Sequence, residues 1–429
     1  MIDIKFIRDN PDIVRSAIQN KKGKPVDIDE LLRLNDERKE LRQKIDEINR
    51  QRNEAASKRD IEGGKRLKEE LAALEATHLD VEKRFVALMI LIPNIPSPDT
   101  PIGADESENK ILREVGEKRS FGSYSPRQHF EIGEGLGFIN SDRAGEVSGA
   151  RFAYLMGDLA MMQFALLNLS MKILTDEEIL KEIAARAGLK VSTKPFIPVV
   201  PPYMMRPAVM NRMARLDPID ERYYFEKDDE VLIGSAEHTL GPLHMDQTIP
   251  EEQFPIRYVG YSPAFRREAG SYGKDTRGLI RMHHFDKVEM ETFVKPEDGY
   301  VEQDFIVAIQ EHLLNLLGLP YRVVSICTGD MGFPDQRQFD MDTWMPGQST
   351  YRETHTSDYM GGFQARRLST KIKRNDGTSE FVHMNDATLV AMGRTLAAIL
   401  ENYQEADGSV RIPKALQLYM GKEVMTPLK

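Results

Sequence analysis

Apolar residues change their spacing twice along this chain, and each change marks a different kind of structure. Leu34, Leu41, Ile45 and Ile48 recur at intervals of three, four and seven, and so do Leu67, Leu71, Leu74, Val81, Phe85 and Leu88. That spacing predicts two helices that bury a single seam, and Gly63-Gly64 between the runs predicts the turn, which makes one antiparallel hairpin over about residues 29–92. Roughly thirty residues per helix give an arm on the order of 45 Å long at the usual rise. Ahead of it, Asn10-Pro11 predicts a helix cap with proline at the first helical position, and Gly23 to Pro25 ends the segment. Pro93, Pro96, Pro98 and Pro101 then break every regular pattern. The reading is an N-terminal domain over 1–104 and a second domain over 105–429.

The second part mixes both periods. Leu155 to Leu174 is apolar on all sides, which predicts a helix covered either by a thick core or by a second subunit, and Tyr300 to Leu317 carries a stripe of Phe305, Ile309, Leu313 and Leu316. Short alternating runs predict strands at Tyr223–Phe225, Val231–Ile233, Tyr321–Ile326 and Phe339–Trp344, and a hairpin over Lys371–His383 around Asn375-Asp376-Gly377. The longest such signal is Phe265 to Glu289, where two strands flank a loop with Gly270, Gly273 and Gly278. Helices and antiparallel strands in this order give an α+β fold, an antiparallel sheet core flanked by helices with a coiled-coil arm at its N-terminal side.

Composition narrows the partners. A net charge of −10 over 429 residues excludes wholesale coating of nucleic acid, so DNA is not an expected partner and any RNA contact must be local. Such a locality exists: between Arg50 and Lys68 there are seven basic residues (Arg50, Arg52, Lys58, Arg59, Lys65, Arg66, Lys68) against three acidic ones. From the residues alone these are either the solvated outer positions of a coiled coil or a phosphate-binding tip. The single Cys327 rules out an internal disulfide and a thiolate zinc cluster and suits a reducing compartment. Asp3, Lys5, Arg8 and Asp9 do not fit a signal peptide, and no apolar run reaches membrane-spanning length, so a cytoplasmic protein with no membrane partner is expected.

Candidate chemistry gathers on the central hairpin. Strand alternation puts Arg266 with Glu268, and Arg281, His283, Phe285, Lys287 and Glu289, on shared faces. A guanidinium clamps phosphate, an aromatic ring stacks on a purine, and a carboxylate holds an ammonium group. Phe265-Arg266-x-Glu268, the glycine loop and Arg281-x-His283-x-Phe285 resemble motif 2 of the class II aminoacyl-tRNA synthetases, in the form found in the seryl-tRNA synthetases. Ser235-Ala236-Glu237 resembles that family's serine-binding loop, Phe196 to Arg206 with Pro201-Pro202 its motif 1, and Gly393-Arg394-Thr395 its motif 3.

The resemblance implies a serine–tRNA ligase that forms seryl-adenylate from L-serine and ATP and then charges tRNA(Ser), with tRNA(Sec) left open as a second acceptor. It implies catalytic roles for Arg266, Glu268, Glu353 and Arg394. It implies an ATP site of these with Arg267, Phe285, Thr354, His355 and Thr356, and Mg2+ on Glu353. It implies a serine site of Ser235, Ala236, Glu237, Arg266, Glu289, Asp386 and Thr388, a tRNA-gripping arm bearing the basic tip, and a homodimer built on motif 1. Three departures stand out: Ser235 for the usual threonine, Thr354-His355-Thr356 for an aliphatic residue and two serines, and Asp386-Ala387-Thr388 for Asn-Gly-Ser. They keep two other readings open, a paralogue that adenylates another small amino acid and a non-catalytic RNA-binding homologue. The presence of Arg266, Glu353 and Arg394 argues against the second.

Overall fold

Two compact units make up the chain, Met1–Ile95 and Pro96–Lys429. The computed structural model describes residues 1–269, 273, 275 and 277–428; Gly270 of the central loop lies outside the described residues.

The first unit holds helices α1 (Ile4–Asp9), α2 (Pro11–Asn20), α3 (Ile28–Ser57) and α4 (Ile61–Met89). The expected coiled-coil seam is present: Leu34, Leu41, Ile45 and Ile48 of α3 and Leu67, Leu71, Val81 and Phe85 of α4 are buried, in a large cluster at the root and a smaller one toward the tip. Two local expectations change. Asn10 stands at the N-cap of α2 with Pro11 at the first helical position, as expected, but its side chain makes no capping bond there; its amide donates to the Phe6 carbonyl (3.1 Å) at the end of α1. Nor do Gly63 and Gly64 form the hairpin turn. The chain reverses over Lys58–Asp60, with Arg59 in the left-handed region (φ 56°), and Asp60 caps α4 by accepting from the Gly63 N–H (2.9 Å). A Cβ on Gly63 would sit 2.1 Å from the Asp60 carboxylate, so the glycine makes room for the cap.

Among the described residues the second unit carries an eight-stranded sheet. Its strands are β1 (Lys110–Val115), β2 (Ile197–Val199), β3 (Ile256–Phe265), β4 (His284–Val294), β5 (Tyr321–Ser325), β6 (Arg337–Met345), β7 (Thr350–Gly361) and β8 (His383–Ala391), ordered β1-β5-β6-β7-β8-β4-β3-β2. All neighbours are antiparallel except β2 and β3. Helices α5 (Gly157–Thr175), α6 (Gly299–Leu317) and α7 (Met392–Tyr403) supply the apolar cover. Phe305, Ile309 and Leu313 of α6 are buried as the periodicity requires; Leu316 is 38% exposed and Leu317 takes the buried place. On α5, Leu159, Met162, Leu166 and Ile173 face the core, while Met161 (52%) and Phe164 (50%) remain exposed.

Helix α6 also fixes the sheet electrostatically. Its Glu302 receives two hydrogen bonds from Arg257 of β3 (2.7 and 2.6 Å), both side chains being fully buried. Its Gln310 amide donates to the carbonyls of Thr356 on β7 and Thr388 on β8 (2.9 and 2.8 Å). That bridge ties two neighbouring strands together.

Candidate active site

The ends of β3 and β4, the middle of β7, the start of α7 and the loop at 234–237 converge on one cavity. Each approach has a local cause. Gly260 of β3 lets Ala236 pack where a Cβ would come within 2.8 Å of it, and the Phe265 N–H donates to the Ile233 carbonyl (2.9 Å), so the 234–237 loop lies along β3. Gly393 lets α7 begin against Leu279, whose carbonyl would lie 2.5 Å from a Cβ there. A bulge between β6 and β7 pairs Met341 with His355 and Asp342 with Glu353, leaving Thr354 as the extra residue. The Thr354 hydroxyl is then held inside, against Thr343 Oγ1 (2.7 Å) and the Met341 carbonyl (3.1 Å).

One end of the cavity is cationic. Arg266, Arg281 and Arg394 line it beside Phe285, Glu268 and Glu353. Arg394 donates from Nη1 to the Glu353 carboxylate (2.8 Å) and carbonyl (2.9 Å), and Arg281 donates to Glu268 (2.6 Å). The Arg266 guanidinium lies 5.5 Å from the Phe285 ring centroid and donates to the Gly234 carbonyl at 3.4 Å. Desolvation in the cleft raises the Glu353 pKa, but Arg394 and Arg266 outweigh it and hold the carboxyl below its ordinary value. The Thr356 hydroxyl donates to Glu353 Oε1 (3.3 Å). Behind them, burial together with Glu353 and Asp342 pushes the Asp340 carboxyl well above its ordinary value.

The other end is anionic. Glu237, Glu289, Asp358 and Asp386 line it with Arg215, Lys287 and Thr388. Lys287 Nζ lies 2.7 Å from Glu289 and donates to Ser235 Oγ (3.2 Å). Arg215 faces Asp386 at 3.0 Å, Glu237 at 3.4 Å, Asp335 at 3.6 Å and Asp358 at 3.7 Å. Burial opposes ionisation of Glu237, yet Arg215, His238 and Lys287 keep its pKa well below the carboxylate range. Burial raises Glu289, with Lys287 working against the shift, and burial plus Glu237 raises Asp386 well above its usual value.

Most of the residues singled out from sequence therefore share this cavity. Four do not line it. Ser235 and Ala236 are buried behind it, Ser235 through its contact with Lys287. Arg267 is exposed and its N–H donates to the Glu221 carbonyl (3.1 Å). His355 is buried on the far side of the bulge, its Nδ1 2.8 Å from the Thr354 hydroxyl, and burial lowers its pKa to about 4. Strand alternation also misplaced His283, and Arg266 and Glu268 lie past the end of β3 at Phe265, Glu268 in the left-handed region (φ 55°), although both still reach the cavity. Strand β4 starts at His284, so Arg281 reaches the cavity from a bend, while His283 turns away to the Arg266 carbonyl (3.0 Å), beside Phe152 and Tyr223. Sequence reasoning missed Arg215 and Asp358 as site residues. Arg215 sits in a patternless stretch, whereas Asp358 occupies a β7 position two beyond Thr356, a spacing that could have revealed it.

Comparison with known proteins accounts for this arrangement. Residues 1–96 match the family model of the seryl-tRNA synthetase N-terminal domain, and residues 223–403 that of the tRNA synthetase class II core domain (G, H, P, S and T). The chain is 39% identical to a serine–tRNA ligase of Thermodesulfovibrio yellowstonii, over 99% of this chain and 100% of the relative. Among solved structures it superposes on seryl-tRNA synthetase of Pyrococcus horikoshii complexed with ATP (TM-score 0.87, 31% identity, all of both chains). It also superposes on the cytoplasmic serine–tRNA ligase of Naegleria fowleri in complex with AMP (TM-score 0.84, 28% identity, 100% and 99% of the two chains). Matched along its whole length and through both units, the chain belongs to the seryl-tRNA synthetase family of class II aminoacyl-tRNA synthetases.

Proposed function

We propose that this cavity joins L-serine to ATP and that the chain then transfers serine to the terminal adenosine of tRNA(Ser), as a serine–tRNA ligase. The observation that supports this most directly is the division of one cavity into a cationic end on Arg266 and Arg394 and an anionic end on Glu237 and Glu289. The serine carboxylate attacks the α-phosphorus of ATP, the bond to pyrophosphate breaks, and seryl-adenylate remains. Negative charge spreads over the phosphate oxygens in the transition state, and Arg266 neutralises it there while Arg394 holds the γ-phosphate end. Phe285 stacks on adenine and Glu268 accepts from its amino group. Glu237 holds the substrate ammonium, and Glu289 with Thr388 holds the hydroxyl.

The donor set also fits Mg2+. Glu353 and the Thr356 hydroxyl offer hard oxygen ligands, and the crowded Asp340 and Asp342 behind them favour added positive charge. When bound, the ion neutralises phosphate charge; Glu353 and Thr356 would hold it. The arm supports tRNA recognition through Lys58, Arg59, Lys65, Arg66 and Lys68, all exposed at its tip; Arg52 is half-buried and Arg50 is shared with Glu47 and Glu54. A homodimer would cover the exposed apolar side chains Ile197 (49%), Val200 (81%), Tyr203 and Met204 of the motif 1 segment with Met161 and Phe164 of α5, which packs against β2. A cytoplasmic location accords with the buried free thiol of Cys327. The test is ATP–pyrophosphate exchange across the twenty amino acids followed by charging of tRNA(Ser). Serine should dominate both, and exchange driven by another standard amino acid would overturn the reading.

A further inference from the structure

The anionic end of the cavity holds more carboxyl groups than serine can answer. One oxygen each from Glu237, Glu289 and Asp386 lies within 4.8 Å of the other two. An ammonium donating three hydrogen bonds of about 2.8 Å in tetrahedral directions needs acceptors about 4.6 Å apart, so this nest has room for one ammonium group, which serine brings to Glu237 while its hydroxyl meets Glu289. Beyond the nest the sheet carries a second set. Glu291 of β4 is directly opposite Asp386 of β8, and Asp386 is directly opposite Asp358 of β7, giving three carboxyl groups in one rung across three strands. Like groups placed opposite each other destabilise a sheet, and burying them unpaired costs more. Glu291 is fully buried and neither of its oxygens has a hydrogen-bond partner. Asp358, 7% exposed and lining the cavity, leaves Oδ1 without one. The cation facing this rung is Arg215, and it is shared with Glu237 and Asp335.

We propose that this pocket takes, beside serine, the isosteric amino acid class in which a side-chain ammonium replaces the hydroxyl, 2,3-diaminopropanoate being the type. The inference rests on the serine-activating reading above and concerns the same end of the same cavity. The extra ammonium sits where the serine hydroxyl would, keeps its protons, and faces Glu289, Asp358 and Asp386, with Glu291 buried beside Asp386 in the same rung. Asp386 is the aspartate that stands where the family pattern has asparagine, so this chain adds an ionisable carboxyl group at the point where the isostere adds a positive charge. Burial and neighbouring carboxylates hold Glu291 and Asp386 well above the ordinary carboxylate range, as expected of groups short of a cation. The activation step is unchanged: a carboxylate oxygen bonds to the α-phosphorus of ATP and pyrophosphate leaves.

The test is ATP–pyrophosphate exchange on the full chain with L-serine, L-2,3-diaminopropanoate and L-alanine, and with Glu291→Gln and Asp386→Asn. The expected result is a kcat/KM for the diamino acid within about 100-fold of serine. Each variant should lower the diaminopropanoate-to-serine ratio on the order of 30-fold, as removing one partner of a buried charge pair does. Exchange with serine, but with diaminopropanoate no better than alanine, overturns the proposal and leaves the serine reading standing. Exchange with neither serine nor the diamino acid overturns both. A ratio that neither variant shifts overturns the assignment of the rung. Should a variant fail to fold, the comparison of substrates on the unaltered chain still decides.

Discussion

Replacing Arg215 by methionine keeps an unbranched apolar stem and removes the guanidinium that faces four carboxyl groups at 3.0–3.7 Å. Breaking a buried ion pair from one side costs about 3–5 kcal/mol, because the partners are left charged without compensation. Here the loss has a limit, since Asp358 and Asp386 already titrate well above the usual range and escape by taking up protons. Their folded pKa values are raised, so the stability tied to their protonated forms is present at low pH and lost as pH climbs through those values. Removing Arg215 raises them further. The deficit should therefore be about 3–5 kcal/mol at pH 8 and shrink toward pH 5, by about 1.4 kcal/mol per pH unit for each extra proton bound. Urea unfolding of the ligand-free chain measures this. Trp344, the single tryptophan, lies on β6 and reports the second unit alone. A deficit below about 1 kcal/mol at pH 8, or one that is equal at pH 5 and pH 8, would refute the charge accounting.

Gly64→Ala should stabilise the first unit by about 0.5–1 kcal/mol, because nothing lies within 4 Å of the added methyl, whereas Gly63→Ala should destabilise it by disrupting the Asp60 cap; thermal unfolding of both variants checks the contrast. His238, His355 and His383 have pKa values lowered to about 4 by burial, so they should stay neutral at pH 5 in imidazole NMR titrations; unfolding lets them charge below about 6.5, and their share of stability is lost as pH falls from there toward 4. Combined Lys58→Ala, Lys65→Ala and Lys68→Ala should leave pyrophosphate exchange intact and weaken tRNA binding, with the log–log salt slope reduced by about 0.7–0.9 for each phosphate no longer neutralised; an unchanged slope would remove the tip from the RNA interface.

Much of this was legible in the chain because the signals were periodic. The arm's seam and the Phe265–Glu289 hairpin depend on spacing alone, and spacing survives without knowledge of tertiary neighbours. What spacing could not supply was anything decided across the sheet. The bulge that turns His355 inward and leaves Thr354 facing Thr343 depends on the β6 partner, and the Glu291–Asp386–Asp358 rung exists only once three strands are in register. Arg215 was hidden for a related reason, since a loop residue has no period and its meaning comes from the four acids it meets. At the arm's tip the glycine pair suggested a turn by composition, but the Asp60 side chain decided where the helix begins.

The division of the arm's seam into two clusters has a mechanical consequence. The root cluster draws on α1, α2 and the bases of both long helices, whereas the tip cluster consists of Ile45, Ile48, Ala55, Leu67 and Leu71, joined to the root through the partly buried Leu74. Stiffness follows the extent of apolar burial, so the arm is rigid where it is rooted and compliant near its end, with Leu74 as the joint between the two regimes. Hydrogen exchange should accordingly be faster in the outer turns than at the root.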